Sequence, residues 1–395
     1  MDIAFTPEQD AYRARLREWL DDNYDPHWDG DHFRGPRDEA QNFALQADWE
    51  RKLHAGGYNG IHWPKQYGGQ GLTIVEHFIV MEELGRLAAP EGINSIGREL
   101  VGPILLDAGT EGQKARFVPR ILSLEDIWCQ GFSEPNAGSD LASVTTHARR
   151  DNEGWVIDGQ KVWTSYAQFS DWCILLARTD RDAPKHKGLT LFLVPTDTPG
   201  LVIRPLRQMT ARQEFNELFL DGVRIPDDYR LGPVNEGWQV TNRVLAFERG
   251  TTRLYRQARF ANELRALAAR AERSEAAAGD EAVTFGRLHA GLQVLRQHNL
   301  RIVSRVAAGA KIGPEASLQK LAWSHLHQDI MRAAGDVLGE AFLTEPAAER
   351  FRETYLQSRA ETIYAGTSEV QRSIIADRVL NLPRPKSRTR NEGAS

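Results

Sequence analysis

The chain has 395 residues, with 49 Lys and Arg set against 54 Asp and Glu, and its net charge of −5 is scattered along its length. That balance leaves no basic field for a nucleic-acid backbone, and no stretch approaches the ~18 apolar residues of a membrane-spanning helix. The length exceeds one ordinary domain of about 150 residues, so two or three cooperating units are expected. Met1 opens into a polar amphipathic segment without a basic-then-apolar leader, and a cytoplasmic protein is expected. The two cysteines, Cys129 and Cys173, lie in apolar strand-like runs and read as small buried hydrophobes.

From Phe5 to about Leu122 the pattern is helical. Tyr12, Leu16, Trp19 and Leu20 fall at i, i+4, i+7 and i+8, and Phe43, Ala47 and Glu50 to Leu53 continue it. Thr6-Pro7-Glu8 reads as an N-cap followed by proline at the first helical position. Gly56-Gly57-Tyr58 and Gly68-Gly69-Gln70-Gly71 are turn signals, and neither has the spacing of a dinucleotide phosphate loop. From about Ser123 to Gly232 short apolar runs take over: Trp155 to Ile157, Trp172 to Ala177, Leu189 to Val194, Leu201 to Ile203 and Leu218 to Leu220. Asp158-Gly159 reads as a hairpin turn, and Lys187-Gly188 and Pro199-Gly200 separate later runs. From Gly237 to about Leu380 long Ala-, Leu-, Arg- and Gln-rich helices return, with a sharp restart at Gly313-Pro314-Glu315, and an antiparallel bundle is expected. The polar, basic tail Pro383 to Ser395 reads as disordered.

Three segments carry residues suited to chemistry. Phe132-Ser133-Glu134-Pro135-Asn136-Ala137-Gly138-Ser139-Asp140 combines small residues and hydroxyls that let a backbone approach an extended polar ligand, and composition alone equally allows an ordinary loop. Lys161-Val162-Trp163-Thr164-Ser165-Tyr166 sets an indole beside two hydroxyls, suited to a planar group with a polar edge; a strand with a core aromatic is the bland alternative. Tyr364-Ala365-Gly366-Thr367-Ser368-Glu369-Val370-Gln371-Arg372 reads as a helix start, with Ser368 and Gln371 as a capping box and free N–H groups able to receive an oxygen. Capping alone would also explain these residues.

In this order, with Glu217 to Pro226 between them and Asp377-Arg378-Val379-Leu380 at the end, the three segments resemble the acyl-CoA dehydrogenase family. The resemblance covers nearly the whole chain. It implies an α+β fold with an N-terminal helical domain (1–122), a middle β-barrel (123–232), a C-terminal four-helix bundle (233–382) and a tail (383–395). It implies FAD between the β domain and the bundles of two subunits. Phe132 and Ser133 resemble residues that hold the flavin ring, and Gly138 and Ser139 residues that contact FAD, with Ser139 also touching the CoA moiety. Trp163 looks like the tryptophan flanking the isoalloxazine, Ser165 like the hydroxyl donor to its N(5), and Thr164 between them belongs to the same cofactor-binding run. Thr367, Ser368 and Glu369 resemble the stretch at the helix start that contacts FAD.

The implied reaction removes the α-proton of an acyl-CoA thioester while hydride leaves the β-carbon, giving a trans-2-enoyl-CoA and passing electrons to an electron-transfer flavoprotein. Many members place the catalytic glutamate immediately before the Gly-Thr of the last segment, where this chain has Ala365. Leu245-Ala246-Phe247-Glu248-Arg249 instead resembles the position of the base in isovaleryl-CoA and long-chain acyl-CoA dehydrogenases. Glu248 is therefore the expected base, with Arg249 as a substrate contact and the Ala365 N–H as a donor to the thioester oxygen; ordinary solvated helix charges are the alternative for Glu248 and Arg249. Glu361, one turn before Ala365, is a lesser candidate, expected to be structural.

Two departures concern the cofactor. Asp336-Val337-Leu338-Gly339-Glu340 stands where many members carry Gln-x-x-Gly-Gly, and Ala282-Val283-Thr284-Phe285-Gly286 lacks the arginine of the usual Arg-x-x-Phe-Gly. A homodimer or homotetramer is the simpler expectation, with a heteromer as the alternative, and a branched, long or ring-bearing acyl group is favoured. Two other functions share the fold: an oxygen-using enzyme of the acyl-CoA oxidase, nitroalkane oxidase or flavin monooxygenase type, and a non-catalytic partner subunit. No metal is expected, because His325 and His327 lie two apart and face differently on a helix, and His62-Trp63-Pro64 reads as packing.

Overall fold

Helix α1 (Pro7–Asn23) begins at a reciprocal cap: the Thr6 hydroxyl accepts from Gln9 N at 3.3 Å while the Gln9 side chain accepts from Thr6 N at 3.0 Å. The structure is a computed structural model that describes residues 4–25, 35–36, 38–250, 254–271 and 280–383, without the side chains of 246–250 and 280. Asp38 caps α2 (Glu39–Ala55), and Thr73 with Glu76 and Thr110 with Gln113 box the starts of α3 (Ile74–Arg86) and α5 (Glu111–Ser123). Between them a π-helical turn, Gly97–Val101, runs into α4 (Gly102–Ala108). Leu16, Leu20, Trp49, Leu53, Ile79 and Val80 form the core of these helices. Trp63 is buried against the start of α4, where any Cβ on Gly102 would lie 1.9 Å from its ring. Of His62-Trp63-Pro64 only Trp63 packs inside; the exposed His62 ring stands edge-on to His77 at 4.6 Å between centroids.

The middle of the chain supplies β1 (Trp128–Gly131), β2 (His147–Arg150), β3 (Trp155–Ser165), β4 (Trp172–Arg178), β5 (Leu189–Pro195), β6 (Leu201–Leu206), β7 (Phe215–Ile225) and β8 (Arg230–Leu231). They form one mixed sheet in the order β6-β7-β3-β2-β4-β5-β8, with β1 added in parallel to β4. Cys129 and Cys173 face each other in this register, both buried and both free thiols. Asp158-Gly159 does not turn the chain. It lies inside β3, where the register against β7 shifts between Ile157 and Gly159. Gly159 has φ 151°, so the glycine is used for a bulge rather than a hairpin.

The C-terminal third forms α6 (Gly237–Gly250), α7 (Arg256–Ala271), α8 (Asp280–Ala307), α9 (Ala316–Leu338), α10 (Glu340–Thr344), α11 (Glu349–Glu361) and α12 (Ser368–Ile374). Phe260 and Leu264 of α7, Leu288 and Leu292 of α8, Trp323 and Met331 of α9 and Phe351 of α11 share one core, as a four-helix bundle requires. The segment Pro383 to Ser395 expected to be disordered falls, from residue 384 on, outside the described residues. Among the described residues no helix is long and apolar enough to cross a membrane.

Helix α6 joins the three parts, since it packs on β5, on α4 and on α9. Arg212, buried in the loop between β6 and β7, makes a second junction. It pairs with Glu353 of α11 and donates to the carbonyls of Pro36 at 2.7 Å and Gly35 at 3.1 Å.

Candidate functional site

A buried ion pair stitches the first two chemical segments together. Glu134 accepts from Thr145 N at 2.7 Å, Thr145 Oγ1 at 2.9 Å, Thr146 N at 2.9 Å and Lys161 Nζ at 2.8 Å. Lys161 Nζ also donates to the Phe132 carbonyl at 3.0 Å, and Val162 N donates to the Ser133 carbonyl at 2.9 Å. Burial opposes the Glu134 charge, but the Lys161 ammonium and the amide donors prevail and hold its carboxyl down at about 2. Phe132 and Ser133 are therefore fixed in register with the strand that carries Trp163.

That strand breaks its pleat at Trp163. The register against β7 shifts between Lys161 and Thr164, and Trp163 takes the left-handed region at φ 62°. Its indole is 59% exposed and meets only the edge of Phe215, 6.1 Å away, among the described rings. Holding a bulky aromatic in this conformation costs about 1–3 kcal/mol, a strain that concentrates at ligand-binding positions. Ser165 is half-buried next to it, whereas Thr164 is fully buried and its Oγ1 has no partner among the described residues. Gly138 and Ser139 are exposed on the neighbouring turn, which Asp140 fastens by accepting from Ser143 at 2.6 Å and from Lys185 at 2.9 Å.

The third segment follows α11. Ala365 and Gly366 both sit in the left-handed region, at φ 53° and 85°. Gln371 Nε2 holds this turn by donating to the Ala365 carbonyl at 2.9 Å and the Gly366 carbonyl at 3.2 Å. The helix cap is Thr367, whose hydroxyl accepts from Val370 N at 3.2 Å, and Ser368 is the first helical residue. The expected Ser368–Gln371 box does not form; the cap lies one residue earlier and is one-sided, because Thr367 has the extended backbone a cap needs, Val370 cannot reciprocate and Gln371 is spent on the turn. Ser368 Oγ instead meets His325 Nε2 at 3.2 Å, and Glu369 stands exposed near Arg372.

Glu248 and Arg249 lie in the last turn of α6, and their side chains are outside the described residues. Glu361 is described, and it is not free. Its carboxylate binds His327 Nδ1 at 2.7 Å and Arg256 Nη1 at 2.9 Å, and these cations hold it below the usual carboxylate range against the effect of burial. A carboxylate so held is a poor base, in keeping with a structural role. His327 and His325 do face different ways, His327 reaching Glu263 Oε2 at 2.9 Å with its other nitrogen. Asp336 and Glu340 are exposed, and Phe285 packs on the bundle core.

The structure therefore brings the first two segments into direct contact and sets the third on the bundle, linked through α9 to α6. Sequence reasoning missed the Glu134–Lys161 pair and the Arg256–Glu361–His327–Glu263 cluster. One signal was available for the second: Arg256, Phe260 and Glu263 recur at helical spacing, a charged stripe on the face that the bundle buries.

The donor set fits a flavin. An exposed indole beside the Ser165 and Ser133 hydroxyls suits a planar apolar ring with polar edges, and the left-handed turn with its helix start suits a phosphate-bearing chain. Comparison with known proteins agrees. Family models described as the N-terminal, middle and C-terminal domains of acyl-CoA dehydrogenase match residues 6–125, 129–223 and 235–380. The chain is 41% identical to the acyl-CoA dehydrogenase IpdE1 of Mycobacterium tuberculosis over 95% of its length and 98% of that protein. It is 31% identical to the human mitochondrial short-chain specific acyl-CoA dehydrogenase, over 84% and 82% of the two chains. The solved Tcur3481-Tcur3483 steroid ACAD superposes with a TM-score of 0.86 at 30% identity, covering 98% of this chain and 100% of that one. The ChsE4-ChsE5 complex of Mycobacterium tuberculosis gives 0.83 at 28% identity, with 98% and 100% covered.

Proposed function

The chain belongs to the acyl-CoA dehydrogenase family and is an FAD-dependent oxidoreductase, and from that premise we propose that Glu248 is the base that takes the α-proton of an acyl-CoA on the way to a trans-2-enoyl-CoA. The observation that carries this assignment is the locked state of Glu361: two cations occupy this carboxylate, one turn before Ala365, and the position of the more usual base is an alanine. FAD, when bound, supplies the acceptor for the hydride that leaves the β-carbon. This chain's residues do the rest. Phe132, Ser133, Trp163, Thr164 and Ser165 hold and orient the ring, Gly138, Ser139, Thr367, Ser368 and Glu369 hold the remainder of the cofactor, and Ser139 and Arg249 contact the substrate. The Ala365 N–H donates to the thioester oxygen, where charge builds as the α-proton leaves.

A bulky, ring-bearing acyl group is favoured, supported by the likeness to a structure described as a steroid ACAD. The chain acts as an oligomer with an electron-transfer flavoprotein as acceptor, in the cytoplasm, and its working division is 1–122, 123–232 and 233–382. A heteromeric assembly is the second arrangement, favoured by likeness to a complex of two different chains. The test is Glu248→Gln: it should retain bound yellow FAD and lose turnover by about 10²–10⁴, the usual contribution of a general base. Undiminished turnover would remove the assignment.

A further inference from the structure

Glu361, His327 and Glu263 form a buried charged cluster inside the bundle, at the foot of the turn that carries Ala365. Both ring nitrogens of His327 lie on carboxylate oxygens, Nδ1 at 2.7 Å from Glu361 Oε2 and Nε2 at 2.9 Å from Glu263 Oε2. Carboxylates only accept, so both nitrogens donate and the ring is an imidazolium. Phe260 stacks on it with centroids 4.0 Å apart. The second Glu361 oxygen takes Arg256 Nη1 at 2.9 Å, Arg256 Nη2 reaches the Tyr364 hydroxyl at 3.3 Å, and Arg256 lies 3.9 Å over the Trp323 ring. Lys320 Nζ donates to the Glu361 carbonyl at 2.7 Å, and Arg259 approaches Glu263 at 4.0 Å.

Three of these contacts, from His327, Arg256 and Lys320, land on Glu361, the last residue of α11 and four residues before Ala365. Replacing such buried charges by well-packed apolar side chains of similar volume is often neutral or stabilising, so fold stability alone is a weak reason for them. The turn they fix is the one whose backbone stands in the left-handed region at Ala365 and Gly366.

We propose that His327 is a positioning residue for the reaction: by clamping Glu361 to Glu263 it sets the end of α11 and thereby aims the Ala365 N–H at the thioester oxygen. The proposal rests on the assignment of that N–H given above. It concerns α7, α9 and α11 together, since Glu263, His327 and Glu361 come from three different helices.

The test uses the FAD-loaded protein and a 3-thia-acyl-CoA, whose sulfur at the β position leaves no hydride to transfer and whose α-proton is acidic. Deprotonation of this probe beside oxidised flavin produces a long-wavelength charge-transfer band, which reports stabilisation of the enolate without turnover. His327→Gln, which can still donate to one carboxylate, should bind FAD and probe yet weaken the band, and should lower the rate of flavin bleaching by true substrate about 10²-fold with KM little changed. Glu263→Gln, which leaves the Glu361 contact in place, should have a smaller effect. A His327→Gln protein with reduced stability but an undiminished band and rate overturns the proposal and makes the cluster purely structural. Absence of the band in the wild-type protein, with FAD and probe both bound, would remove the assignment of the Ala365 N–H and the proposal together.

Discussion

A carboxylate taken out of water is tolerated only where donors replace its hydration, and Glu134 has four of them, one a fully buried ammonium. Removing Lys161 should therefore do more damage than its single ion pair suggests, because Glu134 would stay buried with its charge uncompensated. Lys161→Met should cost about 3–5 kcal/mol, read as a lower urea midpoint, and should loosen bound FAD because the Phe132 carbonyl loses its tether. An unchanged midpoint would show that the pair is dispensable. Both residues stood inside segments singled out in the sequence, yet their pairing could not be read there. They are 27 positions apart, and only the approach of β3 to the loop after β1 brings them together. The left-handed backbone of Trp163 was hidden for the same reason, since nothing in Lys-Val-Trp-Thr-Ser signals a residue that normally avoids φ > 0.

At the scale of elements, strand β3 and the α11–α12 turn are where local sequence rules bent. Asp158-Gly159 has the composition of a hairpin turn, but Gly159 lies against Thr146, and a Cβ there would come within 2.4 Å of the Thr146 hydroxyl oxygen. Gly159→Ala should destabilise by about 1–3 kcal/mol through overpacking and an unfavourable φ, measured by thermal or urea unfolding. A neutral result would mean that the bulge relaxes freely. The bundle carries its own pH signature. Burial works against a charge on His327, but Glu361 and Glu263 outweigh it and raise its pKa to about 9, above the ordinary value near 6.5. The sign follows from proton binding: the folded state holds this proton more tightly than the unfolded chain. Its stabilisation is thus complete below about pH 6.5 and is lost as pH rises through about 9. Urea midpoints measured across that range should fall in the wild type and fall less in His327→Gln. Equal falls would assign the pH dependence to other groups.

Over the whole molecule, the change from helices to strands and back was legible because the hydrophobic period changes twice along the chain: α5 ends at Ser123 before β1 opens at Trp128, and β8 ends at Leu231 before α6 opens at Gly237. Thr6-Pro7-Glu8 marked the first helix for a reason confirmed at atomic level, the reciprocal cap between Thr6 and Gln9. What joins the parts was not legible. Arg212 links a β-domain loop to Glu353 of α11 and to the backbone at Gly35 and Pro36, contacts separated by 141 to 177 positions. Helix α6 touches all three parts and carries Glu248 in its last turn, so the proposed base lies on the element that reports their relative placement. Acyl-CoA oxidation with Glu248 as the proposed base has a direct spectroscopic signature. The most direct test is the anaerobic visible spectrum of the FAD-loaded wild-type and Glu248→Gln proteins after adding straight, branched and steroid-derived acyl-CoAs. The wild-type flavin band should bleach, foremost with a ring-bearing thioester, and the variant's band should bleach little or not at all at matched flavin content. Equal bleaching of both proteins, or a wild-type flavin that no thioester reduces, would contradict this expectation.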